Sequence, residues 1–219
     1  MNLPSIRSRP LLYAITDRKL LRDQDPIKAL VDFAARAASA GVDLIQIRER
    51  DLTAREITSI AQRTLSTMSS THSAVLINDR ADIAASVGSG VHLTTRSISA
   101  SIVRQTFGSE ILIGVSTHNE REALAAQEEG ADFVVFGPVF DTSSKQQYGP
   151  PVGLNALEAV VAKLRIPVIG LGGIGLNNFD RVLDTGAAGI AGISLFAHTE
   201  DLAELVDVIK GVKKREAGD

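Results

Sequence analysis

The 219-residue chain contains no cysteine. Disulfides and thiolate metal sites are therefore excluded, and the chain suits a reducing compartment. Aromatic residues make up only 4% of the chain, against 44% hydrophobic residues in all. The core must then be mostly Ala, Val, Ile and Leu, as in parallel sheets covered on both faces. No run approaches the ~18 apolar residues of a membrane span. The N-terminal stretch MNLPSIRSRPLLYAITD is not expected to act as a signal peptide, because its apolar segment is too short. The formal net charge is −3, so the basic surplus that nucleic-acid binding requires is absent. The expectation is a cytoplasmic protein acting on small molecules, with no nucleic-acid or membrane partner. Homo-oligomers are compatible with this composition.

The apolar residues that are present alternate between two kinds of segment. Short β-rich runs occur at 11–16, 43–48, 74–78, 90–93, 111–116, 132–137, 166–172 and 188–194. Longer stretches with helical spacing lie between them. PIKALVDFAARAASAG places Ile27, Leu30, Val31, Phe33 and Ala34 on one face and stops at Gly41, a suitable helix end. Repeated strand and helix candidates without a linker predict one domain over 1–219, an α/β fold of the (β/α)₈ TIM-barrel type. An open doubly wound sheet is the other architecture to weigh, but it would usually carry a glycine-rich turn after its first strand, where ITDRKLLRDQD stands instead. Barrels of this type hold their active sites at the C-terminal strand ends, and many bind phosphate after strands 7 and 8.

Those ends carry chemistry. After strand 2, Gln46, Arg48 and Arg50 share a face if strand alternation continues, and guanidinium forks suit phosphate oxygens. A surface ion-pair cluster with Glu49 and Asp51 is the plainer alternative. Strand 3 ends in Asn78 and Asp79, oxygen donors suited to Mg²⁺ or, equally, to helix capping. Strand 5 ends with Ser116 and His118, the latter a candidate acid or base. His92 lies inside a short strand and reads as structural. Strand 6 runs into GPVFDTSSKQQYGPP, where Thr142, Ser144 and Lys145 offer hydroxyls and one mobile cation between proline brackets. That set suits a departing diphosphate. Gly172 and Gly173 after strand 7, a helix expected to begin near Asn177, and Ile193 and Ser194 after strand 8 predict a backbone phosphate cup.

In this order, YAITDR, QIRER, INDR, GVHL, IGVSTHN, GADFVVFGPVFDTSSK, GPPVGL, IPVIGLGGI and GAAGIAGIS resemble the family of thiamine phosphate synthase and the TenI-type thiazole tautomerases. The resemblance covers nearly the whole chain. It implies a barrel that joins hydroxymethylpyrimidine diphosphate to a thiazole phosphate and releases diphosphate. By this resemblance Arg48 and Arg50 hold the diphosphate, with Arg50 standing where the family usually has lysine. Asn78 contacts the pyrimidine side, Asp79 ligates Mg²⁺, and Lys145 neutralises the leaving group with Thr142 and Ser144 nearby. Gly173, Ile193 and Ser194 hold the thiazole phosphate. Ser97 occupies the position of a second metal-binding aspartate, and a hydroxyl is a poorer Mg²⁺ ligand than a carboxylate. The tautomerase branch needs no metal and implies a proton shuttle at His118. A non-catalytic barrel that senses a thiamine precursor is the third reading. The synthase leads, because its diphosphate-side residues are nearly complete.

Overall fold

Short apolar runs become strands here, and the chain passes from each strand end to a helix. The computed structural model describes residues 10–21, 24–142 and 150–216. Its strands are β1 Leu11–Ile15, β2 Leu44–Ile47, β3 Ala74–Asn78, β4 Gly90–Leu93, β5 Ile113–Thr117, β6 Phe133–Phe136, β7 Val168–Leu171 and β8 Gly189–Gly192. They pair in sequence order into a closed parallel barrel, the last ladder joining Leu11 to Gly189 and Tyr13 to Ala191. The helices are α1 Pro26–Ser39, α2 Ala54–Thr67, α3 Ala81–Val87, α4 Ala100–Phe107, α5 Glu120–Glu128, α6 Gly153–Lys163, α7 Phe179–Asp184, α8 Ser194–Ala197 and α9 Leu202–Glu216. This is the expected (β/α)₈ barrel. No described helix is long and apolar enough to cross a membrane.

Local chemistry sets the boundaries. Asp25 caps α1 by accepting from the Ile27 and Lys28 N–H groups, with Pro26 at the first helical position, where its missing N–H costs nothing. Thr53 and Glu56 form a reciprocal capping box on α2. The strand expected over 111–116 instead covers 113–117. Arg104 accounts for the shift: its guanidinium donates to the Ile111 carbonyl and pairs with Asp132, which also accepts from the Ile113 N–H. The helix expected near Asn177 begins at Phe179. The Asn178 side chain holds the preceding turn, accepting from the Gly175 N–H at 2.8 Å and donating to the Gly173 carbonyl at 3.0 Å.

Strand alternation divides the buried residues into two shells. Outward residues such as Leu12, Ala14, Ile45, Val75, Val91 and Val134 pack against the helices. Inward residues Leu11, Tyr13, Ile15, Leu44, Leu76, Leu112, Phe133, Val135 and Ile169 fill the barrel. Space inside is limited, and glycine makes room for the largest rings. A Cβ on Gly114 would lie 2.3 Å from the Phe133 ring and 2.9 Å from His92 Nδ1. Replacing it with alanine should cost roughly 1–3 kcal/mol of stability, because a packed interior yields only by straining rotamers and backbone. Urea denaturation of Gly114→Ala checks this, and an unchanged midpoint would show that the ring has room to move.

Candidate active site

The mouth of the barrel at the C-terminal strand ends is polar where the layers below are apolar. On the inward face of β2, Gln46 is buried, and its Nε2 donates to Asn78 Oδ1 on β3 at 3.0 Å. Asn78 pairs in register with His92 on β4. His92 Nε2 lies 2.8 Å from Ser116 Oγ on β5, and His92 Nδ1 lies 3.1 Å from the Tyr13 hydroxyl on β1. Four adjacent strands thus build one polar floor from Gln46, Asn78, His92 and Ser116. His92 is fully buried, and desolvation, assisted by the positive charge of Arg48, pushes its pKa down to about 3. It is a neutral imidazole at any ordinary pH. The same burial raises the Tyr13 pKa, so the phenol keeps its proton.

The segment after β2 follows different rules from those the alternation suggests. β2 ends at Ile47, so period two does not carry to Arg50, which lies exposed in a turn. Arg48 is half-buried, and its backbone N–H donates to Thr16 Oγ1 at 3.0 Å. Thr16 in turn donates to the buried carboxylate of Glu49 at 2.7 Å. Glu49 also accepts from the Arg18 backbone N–H and its guanidinium. The expected ion-pair cluster exists, but Arg18 is its cation: it bridges Glu49 at 2.8 Å and Asp51 at 2.7 Å. Hydrogen bonds from Arg18 and Lys19 hold the Asp51 carboxyl well below the usual range. Thr16 and Arg18 were not singled out in the sequence. The signal was ITDR at the end of the first strand, opposite QIRER.

Around β3 and β4, Asn78 and Asp79 do not cap α3. Its N-cap is Arg80, without a side-chain capping bond. Asp79 has φ of 58° and is the one non-glycine with positive φ among the described residues. Its N–H donates to the His92 carbonyl at 2.8 Å, so the unusual backbone is pinned to the neighbouring strand. Such strained positions cluster at functional sites. Ser97 is committed locally, its Oγ accepting from the Thr94 N–H at 2.7 Å. His118 lies one residue past β5, partly exposed, with Nδ1 3.1 Å from Glu122 of α5.

The exit of β6 leans on β7. The Val139 N–H donates to Leu171 O at 2.8 Å and the Phe140 N–H to Gly172 O at 3.0 Å. Gly172 and Gly173 have φ of 104° and 64°. A Cβ at Gly172 would meet Pro138 at 2.5 Å, and one at Gly173 would meet the Asp141 carbonyl at 2.4 Å. The glycine pair is thus required for this close approach. Ile193 precedes and Ser194 opens the four-residue α8, next to this turn across the β7–β8 ladder. Thr142 is half-buried, whereas Ser144 and Lys145 lie outside the described residues.

This architecture defines a parallel (β/α)₈ barrel with a polar mouth and a glycine turn after its seventh strand, the class whose active sites lie at the C-terminal strand ends. A family model described as thiamine monophosphate synthase matches residues 12–196. A Geobacter sulfurreducens relative is 42% identical over 194 residues, covering 88% of this chain and 89% of its own. A Chlorobium phaeovibrioides thiamine-phosphate synthase is 39% identical over 195 residues, covering 89% of this chain and 90% of its own. A solved thiamine phosphate pyrophosphorylase from Pyrococcus furiosus superposes with a TM-score of 0.82 at 29% identity, covering 98% of this chain and all of the other. The chain belongs to the thiamine monophosphate synthase family.

Two outcomes test the electrostatics. Glu49→Gln should lose about 1–3 kcal/mol, because it weakens a charge-assisted network in a buried place. Asp51→Asn, on the exposed side of the same arginine, should lose clearly less, because solvent screens an exposed ion pair. Denaturation of both variants checks the contrast, and equal losses would contradict it. The second outcome concerns pH. The folded pKa of His92 is depressed from about 6.5 to about 3, so between those values the unfolded chain binds the extra proton and acidification destabilises the fold. His92→Gln lacks that liability, so its stability deficit against wild type should narrow from pH 6.5 downward, by up to ~1.4 kcal/mol per pH unit. A deficit constant with pH would show that His92 is not held neutral.

Proposed function

We propose that this chain is a thiamine-phosphate synthase, condensing hydroxymethylpyrimidine diphosphate with thiazole phosphate. The observation that carries the proposal is the continuous polar floor of Gln46, Asn78, His92 and Ser116 across β2 to β5, in a chain whose relatives include named thiamine-phosphate synthases. The carbon–oxygen bond to the diphosphate breaks with its electron pair leaving on the diphosphate. The thiazole nitrogen then supplies the lone pair of the new carbon–nitrogen bond. No oxidant or reductant is needed, and the thiazole becomes a cationic thiazolium.

The residues divide the work by charge. Gln46 and Asn78, already bonded to each other, offer amide groups to the pyrimidine. Arg48, its backbone fixed by Thr16, and Arg50 from the turn supply positive charge to the diphosphate, and by the family resemblance Lys145, with Thr142 and Ser144, neutralises it as it leaves. Positive charge that meets the leaving group as it departs lowers the barrier more than charge that only binds the substrate. Gly172, Gly173, Ile193 and Ser194 form the cup for the thiazole phosphate. Ser144 and Lys145, outside the described residues, carry their part of this assignment by the family resemblance alone.

The donor set for a cation is sparse. Among the described residues no cluster of three His, Cys, Asp or Glu side chains could hold a metal, and the Ser97 hydroxyl is turned into its own loop. Mg²⁺ keeps several waters and needs only one or two carboxylates when phosphates complete its shell. The residues therefore fit a cation delivered with the diphosphate, with Asp79 as its protein ligand. Bound there, it would supply charge neutralisation of the leaving group.

The test is a paired assay with and without Mg²⁺. Pyrimidine diphosphate and thiazole phosphate should yield thiamine phosphate, and Lys145→Ala should lower kcat by ~10²-fold or more. Metal-free isomerisation of thiazole carboxylate phosphate that collapses in His118→Ala would replace the proposal with a tautomerase. Binding of thiazole phosphate without turnover of either set would make the chain a sensor.

A further inference from the structure

The chain from Tyr13 through His92 to Ser116 has a direction, and hydrogen-bond accounting fixes it. The Tyr13 side chain is completely buried among Leu11, Leu44, Phe133 and their neighbours. Among the described residues its hydroxyl meets one hydrogen-bond partner, His92 Nδ1 at 3.1 Å. A phenol holds a single proton, and a buried one must donate it. His92 Nδ1 is therefore the acceptor. A neutral imidazole carries its one proton on the other nitrogen, so Nε2 donates to Ser116 Oγ at 2.8 Å. The opposite polarity would leave the Tyr13 proton in an apolar interior with nothing to accept it.

The consequence falls on Ser116. Its oxygen accepts from below, and the nitrogen beneath it already bears a proton, so the serine proton cannot turn down into the barrel. Ser116 is half-buried at the end of the inward face of β5. Its hydroxyl is left as a donor on the side where the substrate would lie.

We infer that Tyr13 is a positioning residue: through His92 it holds the Ser116 hydroxyl as a hydrogen-bond donor to the bound substrate. Tyr13 touches no substrate and sits one full layer below the mouth, yet it selects which way a mouth residue's proton points. A neutral imidazole is required for this, since a doubly protonated ring would turn the Tyr13 hydroxyl away. The enclosed Tyr13 hydroxyl, with His92 Nδ1 as its one hydrogen-bond partner among the described residues, sets that state. The inference rests on the synthase reading for the identity of what Ser116 contacts. In that reading a serine donor facing the diphosphate gains strength as negative charge builds on the departing oxygen, so its loss appears in kcat more than in KM.

The experiment joins nitrogen NMR of the histidine side chains to steady-state kinetics on wild type and Tyr13→Phe. The phenylalanine ring keeps the packing and removes only the donor. Wild-type His92 should be neutral and protonated on Nε2, as its contacts with Tyr13 and Ser116 require. Tyr13→Phe should show a mixture of tautomers, a kcat lower by roughly 3- to 10-fold, and a KM within about twofold of wild type. A wild-type His92 protonated on Nδ1, or charged, overturns the inference, and that measurement stands whether or not the variant folds. A folded Tyr13→Phe with wild-type kcat also overturns it. If wild-type protein makes no thiamine phosphate, the synthase reading falls, and the tautomer in wild type alone decides the relay.

Discussion

Everything at the mouth depends on the barrel being closed, and closure depends on how nearly β8 can approach β1. A Cβ on Gly189 would lie 2.0 Å from the Leu11 carbonyl oxygen, so the seam admits a backbone without a side chain. With the seam shut, eight short strands become a ring without edges, and alternation assigns each residue to the inside or the outside. Inward positions then stack in layers. The lower ones are apolar, with Tyr13 reaching up from among them, and the upper one is built of amide, imidazole and hydroxyl groups. Because those groups lie on neighbouring strands, they bond sideways to one another.

Electrostatics at the mouth follow from what burial permits. A charged His92 is excluded by desolvation, so the floor presents neutral dipoles. Fixed charge is placed at the rim. Arg18 there is consumed by Glu49 and Asp51, and its function is to anchor the turn from which Arg48 extends. Thr16 links the two, since its hydroxyl donates to Glu49 while its oxygen accepts from the Arg48 N–H. Preorganisation of this kind lets a cation meet developing charge without first reorganising.

Much of the fold was legible in the sequence because strand and helix periods differ and glycine marks the returns. Gly41, Gly130 and Gly186 all take positive φ at helix-to-strand turns. Gln46, Asn78 and Ser116 were also legible, as polar residues at the ends of apolar runs. Other features were hidden for physical reasons. Arg50 looked like a continuation of the Gln46 and Arg48 face, but β2 stops at Ile47 and the period ends with it. Glu49 and Asp51 looked like partners of the arginines beside them, whereas their cations, Arg18 and Lys19, lie in the short turn after β1, far away in sequence. His92 looked merely structural because a strand interior is normally apolar. Its role depends on Tyr13 and Ser116, and only the closed barrel brings the three side chains together.

The central claim is that the strand ends form a site in which diphosphate departs and a carbon–nitrogen bond replaces it. The most direct measurement follows both products in one reaction, with pyrimidine diphosphate and thiazole phosphate supplied together. The account predicts one diphosphate released for each thiamine phosphate formed. Turnover of a thiazole phosphate that releases no diphosphate, or diphosphate release without thiamine phosphate, would contradict it.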